Sequence, residues 1–150
     1  MAGLSDLYQE LILEHSKHPR NYRRIPDGVA IEGFNPLCGD HFTVFLRLQG
    51  DVIADISFEG SGCAIAKSSA SVMTQALKGK TRAEAEALFE KFHALVTGQA
   101  KDQEAAPESL GKLAAFAGVS EFPVRVKCAT LAWHTMRAAL AGQQEPVTTE

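Results

Sequence analysis

Only three cysteines occur in the 150 residues, at positions 38, 63 and 128. An odd count leaves no complete disulfide framework, and in a reducing compartment such thiols point to metal or thiol chemistry. Basic residues are not in excess. Fifteen Lys and Arg stand against 18 Asp and Glu, a formal net charge of −3 with both signs interspersed. Nothing therefore offers the basic surface that nucleic acid or an anionic membrane would call for. No apolar run approaches the length of a membrane span. The opening Met-Ala-Gly-Leu-Ser-Asp has neither the basic start nor the apolar core of a signal peptide, so a cytoplasmic location is expected. Internal repeats and low-complexity tracts are lacking as well.

What is present suits one globular domain. An apolar share of 45% is ordinary, and the length is enough to bury a real core. Residues 1–150 read as a single domain, with tails at 1–3 and from Gln143 to the end that are expected to fray.

Residues 4 to about 17 have the period of an amphipathic helix, with Leu4, Tyr8, Leu11, Ile12 and His15 on one face. Pro19 blocks its continuation. His15 and His18 read as a helix-face and a C-terminal-turn histidine rather than metal ligands. Arg20, Arg23 and Arg24 form a basic cluster, either a solvated face or, beside a functional loop, a docking surface. A short strand is predicted over 29–34. Residues 42–48 alternate, with Phe42, Val44, Leu46 and Leu48 on one side; in 52–59 the apolar side is Val52, Ala54, Ile56 and Phe58. Gly50-Asp51 between them is a two-residue hairpin signal. Pairing Gln49 with Val52 and extending the ladder sets position 38 against position 63. Even if the ladder stops short, both cysteines leave the hairpin at the same end, where neighbouring strands lie about 5 Å apart.

A helix is predicted over 65–78, with small residues from Ser68 to Ser71 that let it pack closely on the sheet or border a site. Thr81-Arg82-Ala83-Glu84 is a capping box opening a helix that stops at Gly98. Residues 99–106 are a polar connection. Pro107 suits the first turn of a shorter helix through Phe116, closed by Gly118. The last helix spans about 121–141, carries Pro123 in its first turn, and has Val126, Ala129, Trp133, Met136 and Leu140 as its apolar stripe. The predicted class is α+β: a three-stranded antiparallel sheet packed against about five helices.

The chemistry gathers around Asn35-Pro36-Leu37-Cys38-Gly39-Asp40. Proline restricts the chain before the thiol and glycine permits a tight bend after it, so Cys38 and Asp40 can point at one small object. Cys63 follows a glycine-rich turn, Gly60-Ser61-Gly62, that hands a strand to a helix. Cys128 lies near the start of the last helix, where the positive end of the helix dipole favours a thiolate. Three thiols and one carboxylate make a tetrahedral zinc site. Plainer readings stand beside this one: Cys128 as a small core residue, and Asp40 as a turn carboxylate capping backbone amides. A carboxylate holds zinc less firmly than a thiolate, so this donor set would exchange ligands more readily than four thiolates. A zinc that only staples a fold would not need that opening.

Three blocks resemble the signatures of the NifU/IscU-like iron–sulfur cluster assembly family: Asn35 to Asp40, Phe58-Glu59-Gly60-Ser61-Gly62-Cys63-Ala64-Ile65, and Arg125-Val126-Lys127-Cys128-Ala129-Thr130-Leu131. His18-Pro19-Arg20-Asn21 resembles that family's N-terminal block, and the likeness runs from about Leu4 to Gly142. The family's scaffold branch carries a histidine before the third cysteine and a Leu-Pro-Pro-Val-Lys chaperone motif. Here Lys127 precedes Cys128, and the upstream residues are Glu121-Phe122-Pro123-Val124-Arg125. With a longer interval between Cys63 and Cys128, this is the pattern of the SufU-like branch.

The resemblance implies a zinc-dependent sulfurtransferase with one Zn2+ per chain, held by Cys38, Asp40, Cys63 and Cys128. Cys38 would accept sulfur from a SufS-type cysteine desulfurase and pass it to downstream SUF scaffold proteins. A desulfurase histidine would take a zinc position and free Cys38. The alternative is an IscU-like scaffold that assembles a [2Fe–2S] cluster on the same ligands. Arg125, one turn before Cys128, could pair with Asp40 or orient the loop, or be a plain surface arginine. His41 and Lys127 are candidate partner contacts, and His41 could replace Asp40 as a ligand.

Overall fold

The computed structural model describes residues 4–98 and 111–148. In chain order the elements are α1 (Leu4–Lys17), β1 (Val29–Asn35), β2 (Asp40–Gln49), β3 (Val52–Ser61), α2 (Ala64–Leu77) and α3 (Arg82–Val96). A run of 3₁₀ turns (Gly111–Glu121), α4 (Pro123–Leu140) and β4 (Val147–Thr148) follow. The sheet order is β3-β2-β1-β4, with β1, β2 and β3 antiparallel.

The fourth strand is a correction to the three predicted, and it comes from the tail expected to fray. Val147 and Thr148 lie parallel to β1, opposite Gly33 and Phe34. They cover a sheet edge that would otherwise present unpaired backbone groups. The opposite edge is covered too. The Arg23 amide donates to the Phe58 carbonyl, and the Phe58 amide to the Asn21 carbonyl, so the chain after α1 lies along β3. This gives the basic cluster internal partners: Arg23 pairs with Asp55 at 2.6 Å, Arg20 with Glu14 at 3.1 Å, and Arg24 sits over the Phe45 ring.

The β2–β3 hairpin starts as predicted, with Gln49 opposite Val52 and Leu48 opposite Ile53. The ladder then slips by one residue, so that Arg47 faces Asp55 and His41 faces Ser61. Ala54 is the extra residue of a β-bulge, which turns the side chains before it to the other face. Ile53 is therefore fully buried and Val52 is 37% exposed, the reverse of the predicted alternation. Beyond the bulge the prediction holds: Val44 opposes Phe58 and Leu46 opposes Ile56, all four fully buried.

Helices α2 and α4 supply the other layer. Trp133 of α4 stacks on Phe92 of α3 at 4.6 Å and donates its indole N–H to Ser69 Oγ. Ser69 in turn donates to the Ala129 carbonyl at 2.6 Å. The small residues of α2 thus seat it between α1 and α4. The capping box forms as predicted, with Thr81 Oγ1 accepting from the Glu84 amide and the Glu84 carboxylate from the Thr81 amide. Residues 99–106 and the start of the predicted Pro107 helix lie outside the described residues. Its described part does not stop at Gly118, which takes no left-handed φ. Leu113, Phe116 and Val119, spaced by three and all buried, match a 3₁₀ face rather than an α-helical one.

His15 is 2% exposed, its Nδ1 2.7 Å from Ser71 Oγ. Burial first, then the charges of Arg20 and Lys112, push its pKa from 6.5 down to about 4. The unfolded chain therefore binds a proton between those values that the folded chain refuses. Stability should be full above pH 6.5 and fall by at most about 3 kcal/mol as pH drops towards 4. Denaturant unfolding of wild type and His15→Gln across this range checks it, since the variant should lose most of the slope.

Candidate metal centre

β1 and β2 meet in a short turn. Asn35 and Asp40 form the last rung of their ladder. The Asn35 carbonyl accepts from the Cys38 amide at 3.2 Å and the Gly39 amide at 2.9 Å. Gly39, at φ 72°, makes the reversal that a side chain would resist. Pro36, Leu37 and Gly39 are exposed, Cys38 is half-buried, and Asp40 is 2% exposed.

The other end of the hairpin arrives beside it. Asp40 Oδ1 accepts from the Cys63 amide at 2.9 Å, tying β2 to the start of α2. Gly62 makes the approach possible, because a Cβ there would lie 2.7 Å from Asp40 Oδ1 and 2.9 Å from Phe42 Cζ. Cys63 is the N-cap of α2, its Sγ accepting from the Ala66 amide. Cys128, buried on α4, reaches in with its Sγ 3.2 Å from Cys38 Sγ. The ligand atoms of Cys38, Asp40 and Cys128 all lie within 4.8 Å of one another. Cys63 Sγ is 3.9 Å from Asp40 Oδ2, beside that set of three rather than within it. The fold therefore gathers all four groups at one tip of the sheet.

The electrostatics differ from the sequence expectation. The neighbouring Cys128 thiol, with help from the Ala66 amide, lowers the Cys63 thiol to about 7. The same contact, together with burial and the neighbouring Cys38, pushes Cys128 up. Helix-terminus stabilisation thus belongs to Cys63. α4 starts at Pro123, which leaves Cys128 beyond the first turn, where the dipole has faded. One proton leaves this thiol pair readily and the next is held, as expected where negative charges would crowd without a counter-ion.

The donor set fits a thiophilic divalent cation. Zn–S bonds of about 2.3 Å put neighbouring ligand atoms of a tetrahedron about 3.7 Å apart. The S···S distance of 3.2 Å and the S···O distance of 3.9 Å bracket that value. The surroundings are polar where a cation needs them to be. Asn35, fully buried, directs Nδ2 at Asp40 Oδ2 (3.4 Å) and Cys128 Sγ (3.5 Å). Asn35 stands in the sequence motif without being singled out there. An amide ending a strand, at a position of buried parity, is the signal that could have found it.

The remaining candidates lie outside this cluster. Arg125 is exposed and places its guanidinium over the Phe122 ring at 4.6 Å, while Asp40 bonds Asn35 and Cys63 instead. His41 points away from Asp40, stacked on Phe34 and 2.8 Å from Glu32 Oε1, because consecutive strand residues face opposite sides. Lys127 lines a shallow groove with His93, His134 and Arg137.

An α+β fold with three thiols and a carboxylate converging at the sheet's tip defines a protein with a candidate thiolate metal centre. The chain belongs to the NifU-like N-terminal domain family, whose model matches residues 7–142. It is 39% identical over 143 residues to the zinc-dependent sulfurtransferase SufU of Bacillus subtilis, covering 95% of each chain. It is 38% identical over 140 residues to the iron–sulfur cluster assembly scaffold protein IscU of Streptococcus pyogenes, covering 93% of this chain and 86% of that one. Among solved structures it resembles a candidate SUF-system scaffold from Fervidobacterium islandicum (TM-score 0.81, 35% identity, 92% of this chain and 99% of that one).

Adding a methyl at Gly62 tests the geometry. Gly62→Ala should cost about 1–3 kcal/mol through overpacking and weaken metal uptake by displacing Asp40. Gly118→Ala, where nothing lies within 4 Å, should change neither. Thermal unfolding and metal titration of both variants decide the point.

Proposed function

We propose that this chain is a zinc-dependent sulfurtransferase that takes persulfide sulfur from a SufS-type cysteine desulfurase and hands it on for iron–sulfur cluster assembly. The observation that carries the reading is the placement of Cys38. It stands on an exposed turn beside Leu37, which is 65% exposed, yet within ligand distance of Asp40 and Cys128. Cys128 is buried and Cys63 caps a helix, so Cys38 is the thiol best placed to meet a partner.

Bound zinc supplies the positive charge that lets three thiols ionise side by side. Cys63, Cys128 and Asp40 hold the site, and Cys38 presents the thiolate. That thiolate attacks the outer sulfur of the desulfurase persulfide. A new S–S bond forms on Cys38, the old one breaks, and the desulfurase cysteine leaves as its thiolate. The persulfide on Cys38 then passes to a SUF scaffold protein. Leu37, with Arg125, His41 and Lys127 near the site's rim, supplies contacts for these partners. The three free thiols suit the reducing cytoplasm.

Isolated protein should be colourless with about one zinc per chain; a brown protein with visible absorption would favour a [2Fe–2S] scaffold instead. Incubation with desulfurase and cysteine should add the mass of sulfur to Cys38. Cys38→Ala should remain folded, gain no sulfur there, and fail to stimulate desulfurase turnover.

A further inference from the structure

Four ligands do not hold themselves. Asn35 touches three of them and is assigned no role by the reading above. Its carbonyl accepts from the Cys38 amide at 3.2 Å, which fixes the turn carrying that thiol. Its side-chain Nδ2 lies 3.4 Å from Asp40 Oδ2 and 3.5 Å from Cys128 Sγ. The opposite amide orientation would aim Oδ1 at the Asp40 carboxylate, which can only accept, so the donor must face the site. The residue is fully buried and Oδ1 has no hydrogen-bond partner among the described residues. A buried orphan acceptor is unfavourable for folding, and an apolar side chain of similar size would avoid it. Only the two N–H bonds into the site account for an amide here.

We propose that Asn35 is the positioning residue of the metal centre, its carboxamide bridging Asp40 and Cys128 so that these two ligands stay fixed while Cys38 is free to leave. The inference rests on the zinc reading above. A carboxamide has two N–H donors, one for each acceptor, and neither reaches Cys38 Sγ. Hydrogen bonds of this kind orient metal ligands and tune how strongly they donate. The bridge thus distinguishes the ligands. Asp40 and Cys128 are braced from behind by Asn35, and Cys63 by the Ala66 amide, whereas among the described residues the Cys38 sulfur meets only the Cys128 thiol.

The test compares wild type with Asn35→Leu, near-isosteric but without donors, and with Asn35→Ala in case the leucine variant does not fold. Zn2+ affinity is measured by competition with a chromophoric chelator, and Co2+ substitution reports ligand geometry through its visible bands. The expected result is an affinity about tenfold to a hundredfold weaker in both variants, with altered Co2+ bands. The metal-free protein should show a thermal midpoint equal to or above wild type for Asn35→Leu. Variants that bind Zn2+ within twofold of wild type with unchanged Co2+ bands would overturn the role of Asn35. A wild-type protein that binds neither ion would overturn the zinc reading itself, which is a different failure.

Discussion

Four groups able to carry negative charge crowd into one small, partly buried volume, and that crowding governs the rest of the molecule. Two unit charges 4 Å apart at an effective dielectric of about 20 interact by about 4 kcal/mol. Cys38, Asp40 and Cys128 are packed within 4.8 Å, with Cys63 alongside. Ionising all of them without a cation would oppose folding. Retained protons solve the problem in part, as the paired Cys63 and Cys128 thiols show, one shifted down and the other up. A thiophilic cation solves it fully. The site is built around a charge that the protein itself does not supply.

Each candidate ligand is delivered by a different device, and the devices set different freedoms. Asp40 is locked by the Cys63 amide and by Asn35. Cys63 is a helix cap and Cys128 sits in a packed helix whose neighbour Ala129 accepts from Ser69. Cys38 rides on an exposed four-residue turn. Three groups held on secondary structure and one thiol on an exposed turn would suit a centre that keeps an ion while one sulfur exchanges.

Much of this was legible in the linear order of residues. The hairpin turn, the capping box, the three glycine- or helix-flanked cysteines and the carboxylate beside Cys38 are local patterns, and local patterns survive folding. The misreadings share a cause. The bulge at Ala54, the use of Val147 and Thr148 as a strand, and the transfer of the helix-terminus effect from Cys128 to Cys63 all depend on what lies across the sheet or where a helix starts. Asn35 is the same kind of case, since its role appears only when a residue from α4 stands next to it.

The amino-acid sequence by itself determined which donors the protein has and that two of them leave a hairpin at one end, because turn chemistry and strand period act over a few residues. Only the tertiary structure decided how Cys128 reaches that end, which thiol is stabilised, and which sits half-buried on an exposed turn. Those outcomes follow from long-range packing of α4 against the sheet and from the electric environment that packing creates.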